Sequence, residues 1–582
     1  MQSRISFFNP TVLKKDITRF APVWGLYGIF SLLVVFLIWV GEGEPRSAQF
    51  ASELPYILFG MGIMNFFYGG ISALCLFSDL FQSKMAGMLH AMPMRREGWF
   101  LTHVCAGLLF SLMPNLLTCL IVSMLVQQYC YLAFIWLAVT FLQFVFFFSV
   151  GVFSVQCAGN RLGAIAVYGL INFLSVLAAF FLYSFYQPLL YGVVIDFGAL
   201  CQHSPVVGFT TQQYVYAEYD NMTRSVLFEG FVGSDWRYLL ISVAVGIALL
   251  GCAILLYRKR HMEHAGDLIA VKPVAPVFLT LYTLCAGAIL YFISNLIDEE
   301  IRYFFLLIGF GIGFFTGYML LEKKVNVFTK KKWLGFGLFS LAFFLTIFLT
   351  WLDPIGITRY VPNPNQVQAV HISPYESEYY LDNDSTILTD MQDIWAITDI
   401  HKELVTERNE NISNTITLRL RYEMKNGTTV SRKYYVKRDC AATKTLKRYY
   451  SSFQCVTGFT NVDDLRNKIQ DIEFSSYYDS YPYIQICTSE SDSNADKFPG
   501  ESVIIVCDGA VKDAALTRQL LDAIKADCES GAMAQMWDMH SSDAIGNINI
   551  SYKENGRYKV LSINVFPDAG NTLSFLKSLA TK

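Results

Sequence analysis

Charge is what this 582-residue chain has least of. Asp, Glu, Lys and Arg together make up 16 % of it, against roughly 25 % in soluble globular domains. Several motifs are also missing. No G-x-x-x-x-G-K-[ST] loop exists to cradle phosphates, which excludes nucleotide binding by that route. There is no H-E-x-x-H, no G-x-S-x-G and no C-x-x-C pair at metal-ligand spacing. We therefore expect no cofactor, no metal site and no nucleic-acid partner for this chain. The thirteen cysteines are scattered. Five of them (Cys440, Cys455, Cys487, Cys507 and Cys528) fall in the last third of the chain, and an odd number cannot form a complete disulfide framework. Most read as small buried hydrophobes, and a Cys440–Cys455 bridge stays open.

Apolar residues fill the space that charge leaves. Hydrophobic residues are 53 % of the chain and mean hydropathy is +0.37, which excludes a wholly soluble or a disordered protein. Residues 1–352 hold 21 Lys+Arg against 17 Asp+Glu, and residues 353–582 hold 24 against 31. The chain is thus two physical objects, a membrane part and an acidic, water-soluble part.

A helix crosses the ~30 Å hydrocarbon layer with about 20 apolar residues. Nine stretches meet that test, near 22–40, 55–78, 99–126, 131–158, 162–186, 238–257, 276–296, 303–321 and 333–352. Residues 187–200 are also apolar and read as a half-inserted turn. No small-x-small cleavage pattern follows the first span, where Gly41, Glu42 and Gly43 stand, so that span reads as a retained anchor. With the N-terminus inside, 17 Lys and Arg fall in inner loops and four (Arg46, Arg224, Arg237 and Arg302) in outer ones. Nine spans then carry residues 353–582 outside the cell. Trp39, Trp236 and Trp351 fall at the outer ends and Trp99 and Trp333 at the inner ends, as interfacial indoles do. The expected fold is an α-helical polytopic membrane protein of about nine spans with a C-terminal α+β extracytoplasmic domain, multi-pass in the cell membrane and in contact with its lipid.

Ionisable side chains are almost absent from the spans, with Asp79 and His103 near inner ends. This argues against a proton relay or a charged pore. Asn65, Asn115, Gln143 and Asn172 are the polar exceptions, read as interhelical hydrogen-bonding groups. Gly309, Gly313 and Gly317 recur every four residues and mark one close-packing helix face, read as a contact within the chain.

The most informative loop joins spans two and three. Asp79, Lys84, Met85, Met88 and Leu89 fall in an amphipathic stretch with His90. Pro93 then breaks the helix, and Arg95, Arg96 and Glu97 precede re-entry at Trp99. A short helix with a Met/Leu face and a charged end suits docking of a cytoplasmic partner, and equally an ordinary interfacial helix.

The block SDLFQSKMAGMLHAMPMRREGWFLTHV resembles the first cytoplasmic loop of ABC type-2 permeases. It is closest to a Firmicutes branch in which Leu-His-x-x-Pro-x-Arg-Arg follows span two, here Leu89, His90, Pro93, Arg95 and Arg96. The amphipathic TVLKKDITRF before span one resembles the family's elbow helix. YRKRHMEHAGDLIAVKP after span six resembles its basic cluster followed by Glu-x-Ala-Gly, here with Arg258, Arg260, Glu263 and Gly266. The resemblance implies a six-span permease core over 1–257 and a coupling helix pressed into a separate ABC ATPase subunit. It also implies a second permease subunit, identical or related, with ATP and Mg on the ATPase. Residues 258–352 add three spans beyond the family's basic unit.

Residues 353–582 read as strands and helices that alternate: strand 365–371, helix 392–406, strands 414–423 and 428–437, helices 439–452 and 461–471, strands 482–488 and 501–507, helix 511–530, strands 546–553 and 557–566, and helix 569–580. Asn426-Gly427 and Asn555-Gly556 are hairpin turns. The order helix, strand, Asn-Gly, strand, helix occurs twice and suggests a duplicated unit. Thr417, Arg419 and Arg421 are expected on an exposed face, and Ile416, Leu418 and Leu420 on a buried one. His371 and His401 lack partners at ligand spacing.

Three functions are open on these residues. The first is a permease subunit of an exporter type, whose fuel is burned by a separate ATPase. The second is a membrane sensor whose outer domain binds an envelope ligand or an antimicrobial. The third is a membrane-embedded enzyme using Asp196, His203 and Glu218, for which no recognisable spacing speaks.

Overall fold

The computed structural model describes residues 8–40, 46–82, 95–127, 130–220, 225–260, 266–296, 301–373, 386–406, 415–437, 442, 445–446, 449, 452–459, 461–476, 483–487, 503–506, 514–532, 545–554 and 557–580. It divides into two units, Met1–Tyr186 with Ile195–Phe348, and Gln187–Val194 with Leu349–Lys582.

The first unit is helical, as a chain in hydrocarbon must be when every backbone N–H and C=O has to find its partner locally. Its helices are α1 (Pro10–Arg19), α2 (Ala21–Val40), α3 (Arg46–Leu76), α4 (Arg96–Val126), α5 (Cys130–Cys157), α6 (Arg161–Asn172), α7 (Leu174–Phe181), α8 (Phe197–Gln202), α9 (Pro205–Thr211), α10 (Gly233–Lys259), α11 (Val274–Asn295), α12 (Arg302–Glu322) and α13 (Lys330–Leu352). Among the described residues, seven helices are long and apolar enough to cross a membrane, and up to nine crossings result if each of two bent pairs is one span. The bent pairs coincide with the first and fifth expected stretches. One joins α1 to α2 at 64°, and the other joins α6 to α7 and the turns after it at 58°. Asn9 starts α1 by accepting from the amides of Thr11 and Val12, with Pro10 at the first helical position.

Small residues let the helices approach. A Cβ on Gly69 of α3 would stand 2.8 Å from Phe147 Cβ and Phe148 N of α5. The Gly309, Gly313 and Gly317 stripe of α12 faces α11. Cβ atoms there would meet Gly287 Cα at 2.7 Å, Ala286 Cβ at 2.7 Å and Leu279 Cδ1 at 2.6 Å respectively. The stripe is a contact within the chain, as the sequence suggests.

The polar exceptions link up. Tyr27 Oη donates to Asn65 Oδ1 (2.8 Å), and Asn65 Nδ2 donates to Thr140 O (3.0 Å) and Gln143 Oε1 (3.3 Å). Asn115 Nδ2 donates to Tyr27 Oη (3.0 Å), and Ser31 Oγ donates to Asn115 Oδ1 (3.0 Å). Gln143 Nε2 reaches Phe209 O (3.3 Å) and Tyr214 Oη (3.4 Å). All these side chains are buried. The network therefore ties α2, α3, α4 and α5 to the segment after α9. Asn172 bonds within its own helix, to Tyr168 O, and its carbonyl accepts from Ser204 Oγ.

The segment 187–200, expected as a half-inserted turn, divides between the units: residues 187–194 belong to the second, and α8 begins within the first. The short helix α9 packs on the bundle, with Phe209 against Phe146 and Phe147. A hairpin of β1 (Val215–Asp220) and β2 (Ser225–Phe231) follows.

The second unit holds two antiparallel-rich sheets with separate cores. Strands β3 (Val367–Ser373), β4 (Thr386–Leu388), β5 (Thr415–Met424) and β6 (Thr429–Lys437) are ordered β4-β3-β5-β6 around helix α14 (Met391–Thr406). Short helices α15 (Phe453–Thr457) and α16 (Val462–Lys468) lead to β7 (Ile469–Ser476), β8 (Tyr483–Cys487) and β9 (Val503–Val506). Helix α17 (Ala514–Ser530), the hairpin β10 (Gly546–Glu554) and β11 (Arg557–Val565), and helix α18 (Gly570–Ala580) complete it. The second order is β11-β10-β7-β8-β9. Taken from the hairpin outward, β6-β5-β3-β4 and β11-β10-β7-β8 are the same antiparallel arrangement, with α14 or α17 entering before the hairpin. The suggested duplication thus extends to two strands the sequence reading had not paired. Asn426-Gly427 joins β5 to β6, with Gly427 at φ +81°, while Asn555-Gly556 lies outside the described residues, between the paired strands β10 and β11.

Two details depart from expectation. The helix expected over 461–471 stops at Lys468, because Ile469 and Ile472, on either side of a register shift against β10, both enter the core of the second sheet. Arg419 is 4 % exposed rather than open, since its face of the sheet also buries His371 and Ser373. Helix 439–452 lies largely outside the described residues, as does Cys440. His401, for its part, is a core residue: Nδ1 lies 3.0 Å from Tyr422 Oη and Nε2 2.8 Å from Tyr434 Oη. Burial, then the nearby Arg432 charge, pushes its pKa from 6.5 down to about 3.

Two outcomes follow from this packing. Gly313→Leu should destabilise the purified protein by about 1–3 kcal/mol through overpacking, seen as a lower melting temperature in detergent at unchanged particle mass. A change in mass would instead place the stripe between chains. His401 stays neutral when folded, so stability is full above about pH 6.5 and is lost as the unfolded chain takes up a proton below it. At pH 5 the loss is about 2 kcal/mol. Hydrogen exchange of β5 and β6 in the full chain should accelerate accordingly, and His401→Gln should remove that slope.

Candidate functional site

Of the residues singled out in the sequence, Asp79, Arg95, Arg96, Glu97, Arg258, Arg260 and Gly266 are described, and most of them stand where helix ends meet. Helix α3 runs into a 3-10 turn, Ser78–Phe81, whose Asp79 carboxylate lies 4.0 Å from Arg19 at the end of α1. Beyond residues 83–94, Arg95 caps α4 in extended geometry. Glu97, in the first turn of α4 where a negative charge suits the helix dipole, meets Arg258 Nε at 3.0 Å. Arg96 Nη1 reaches Arg258 O at 3.4 Å. Both stems of the 83–94 loop are therefore held, one by α1 and the other by the end of α10. Lys84, Met85, Met88, Leu89, His90 and Pro93 lie outside the described residues, as does Glu263.

Arg260 does the joining. Its Nη1 donates to Val155 O (2.9 Å), and its Nη2 donates to Ala158 O (2.9 Å) and Leu80 O (3.4 Å). Those carbonyls terminate α5 and the turn after α3, where partial negative charge collects and a cation is favoured. The guanidinium holds its donors in a rigid planar fork, so two nitrogens serve three carbonyls in fixed directions, whereas a lysine would present all its donors from a single nitrogen. The chain after α10 then lies along the α5–α6 corner. Gly266 N donates to Gly159 O (2.7 Å), Ala270 N donates to Cys157 O (2.8 Å), and Ala158 bridges Ile269. Gly163 has no room for a Cβ because Leu268 O would overlap it. Gly266 itself sits at φ +96°, a conformation glycine adopts without strain.

Sequence reading missed one pair here. Asp16 of α1 and His103 of α4 are both buried, with Oδ2 and Nδ1 2.7 Å apart. His103 is flanked by Phe77 and Trp99. The available signal was a lone acid within the basic stretch LKKDITR. Asn9 N to Thr102 Oγ1 (3.4 Å) adds a second tie between α1 and α4.

No family model, curated protein or solved structure matches the chain. The functional reading therefore rests on the residues and their arrangement.

Elsewhere chemistry is sparse. Among the described residues no group of three or more His, Cys, Asp or Glu could hold a metal ion. Asp196 caps α8 through Ala199 N (3.0 Å), and His203 Nδ1 lies 2.8 Å from Ala199 O, so both engage local backbone. Glu218 lies on β1.

Arg260→Ala should cost at least about 2 kcal/mol in thermal stability, because charge-assisted bonds are lost and helix-end carbonyls are orphaned. Arg260→Lys should recover only part of that loss, and full recovery would show that the fork geometry is irrelevant.

Proposed function

We propose that this chain is the membrane-spanning permease subunit of an ATP-binding-cassette transporter of exporter type. Its loop between spans two and three is gripped by a separate ATPase. The observation that carries this reading is the two-stemmed mounting of residues 83–94. One stem is fixed through Asp79 and Leu80 to Arg19 and Arg260, and the other through Arg96 and Glu97 to Arg258. A push on such a loop is delivered at once to α1, α3, α4, α5 and α10 rather than absorbed by a flexible tether. The bent α1–α2 pair, tied to α4, suits an elbow lying at the membrane face. ATP and Mg belong to the ATPase, and a second permease subunit completes the assembly.

The reading takes nine spans, the N-terminus in the cytoplasm and the C-terminal domain outside. Parity supports it. Residues 187–194 and the sheet of β3–β6 form one unit, with Lys433 N donating to Gly192 O (3.0 Å) and Val193 bridging Arg432. They must share one side of the bilayer, and the four helices α10–α13 between them bring the chain back to that side. The α6–α7 pair begins beside the Ala158–Ile269 bridge. It ends where Tyr186 Oη lies 2.7 Å from Thr346 Oγ1, near the far end of α13.

The same insertion favours a second reading. A ligand on the outer domain would act on the segment between spans five and six, as a sensor subunit requires. Met88→Asp with Leu89→Asp should reduce ATPase co-purification at least roughly tenfold while leaving the melting temperature of the permease unchanged. Full retention of the ATPase sinks the coupling assignment. Retention together with envelope-ligand binding and no ATP-dependent transport selects the sensor.

A further inference from the structure

The loop between α12 and α13 has no role in the arrangement above, yet it is the most cationic place in the bundle. Lys323, Lys324, Lys330, Lys331 and Lys332 fall within ten residues. Two are neutralised. Lys323 Nζ lies 2.6 Å from Asp267 Oδ1, and Lys332 Nζ lies 2.7 Å from Glu322 Oε2 and 4.7 Å over the Tyr318 ring. Lys324, Lys330 and Lys331 are exposed and form no ion pair or side-chain hydrogen bond among the described residues.

Apolar side chains stand among them. Val325 is 80 % exposed and Phe328 is 54 % exposed. Their exposure does not come from a loose chain. Val327, between them, is fully buried with Leu279, Phe314 and Phe315. The Phe328 and Trp333 rings pack on Phe315 at 4.9 and 4.7 Å. The fold thus holds out a fixed surface that is apolar and cationic at once. In water both properties are costly, the first by exposed hydrocarbon and the second by repulsion among like charges.

One environment removes both costs. The loop is flanked directly by two spans, so it sits at the boundary where acyl chains give way to head groups. There Val325 and Phe328 reach hydrocarbon while lysine stems extend to bring their ammonium groups to phosphate level. The Lys323–Asp267 pair ties this loop to the end of the bundle that carries Arg260, the end rich in Lys and Arg.

We propose that Lys324, Lys330 and Lys331, seated by Val325 and Phe328, form a binding site for the phosphate head group of an anionic phospholipid in the adjoining leaflet. Charge complementarity and continuity with the lipid-facing α13 select a lipid over a soluble acidic protein. The site stands whether or not an ATPase docks elsewhere.

Native mass spectrometry of the full chain in detergent, titrated with phosphatidylglycerol or phosphatidylcholine, tests this. The wild type should retain phosphatidylglycerol in preference. The combined Lys324→Gln, Lys330→Gln and Lys331→Gln variant should bind it at least roughly tenfold more weakly, with phosphatidylcholine unaffected. The matching arginine variant should keep the preference. Equal phosphatidylglycerol binding by wild type and the glutamine variant overturns the site, as does full displacement of the lipid by equimolar inorganic phosphate. If the combined variant does not purify, the three single variants are measured, and undiminished binding in all of them is equally decisive. A soluble protein lost from the glutamine variant while lipid binding persists also overturns it.

Discussion

A polar group in hydrocarbon has no water to turn to, and much of this molecule follows from that constraint. The spans contain few polar side chains, and Tyr27, Ser31, Asn65, Asn115 and Gln143 bond to one another. Tyr27 stands at the centre, donating to Asn65 and accepting from Asn115. Through Gln143 the same chain of bonds reaches the backbone of Phe209 and the hydroxyl of Tyr214. Helices α2 to α5 and the segment from α9 to Tyr214 are thereby held in one relative arrangement by directional contacts. Apolar packing alone would leave such helices freer to slide, since lipid tails compete equally for their surfaces.

At the charged end of the bundle the same constraint acts on backbone. Helices that stop there leave carbonyls without intrahelical partners. Arg260 answers for two of these ends with one planar group, and the chain that follows it lies along the next corner through Gly266 and Ala270. The candidate loop is anchored to this same construction. A permease driven from outside needs such stiffness, because force applied to a loop does work only if the loop cannot yield alone.

The second unit shows how far a duplication can diverge while its hydrogen-bond order persists. Its first copy carries a His401–Tyr422–Tyr434 cluster in the core, and the second fills the equivalent space with isoleucine and leucine. The first copy has also recruited residues 187–194 onto β6, so the edge strand is covered by chain that belongs in sequence to the membrane part. Covering an edge guards against unwanted strand pairing.

Hydropathy was enough to mark the apolar stretches, which form seven long helices and two bent pairs among the described residues, and the boundary near 353. These depend only on composition over about 20 residues, which the bilayer reads one segment at a time. The glycine stripe and the Asn426-Gly427 turn were likewise local and came through intact. Other features needed distant residues to be brought together: the Asp16–His103 pair, the Arg260 clamp, the burial of Arg419 and the recruitment of 187–194. No periodicity announces a partner 87 residues away, or a carbonyl 180 residues away. Membrane partition is a property of a segment and is written in it, whereas satisfaction of a buried polar group is a property of the folded neighbourhood and exists only once that neighbourhood has formed.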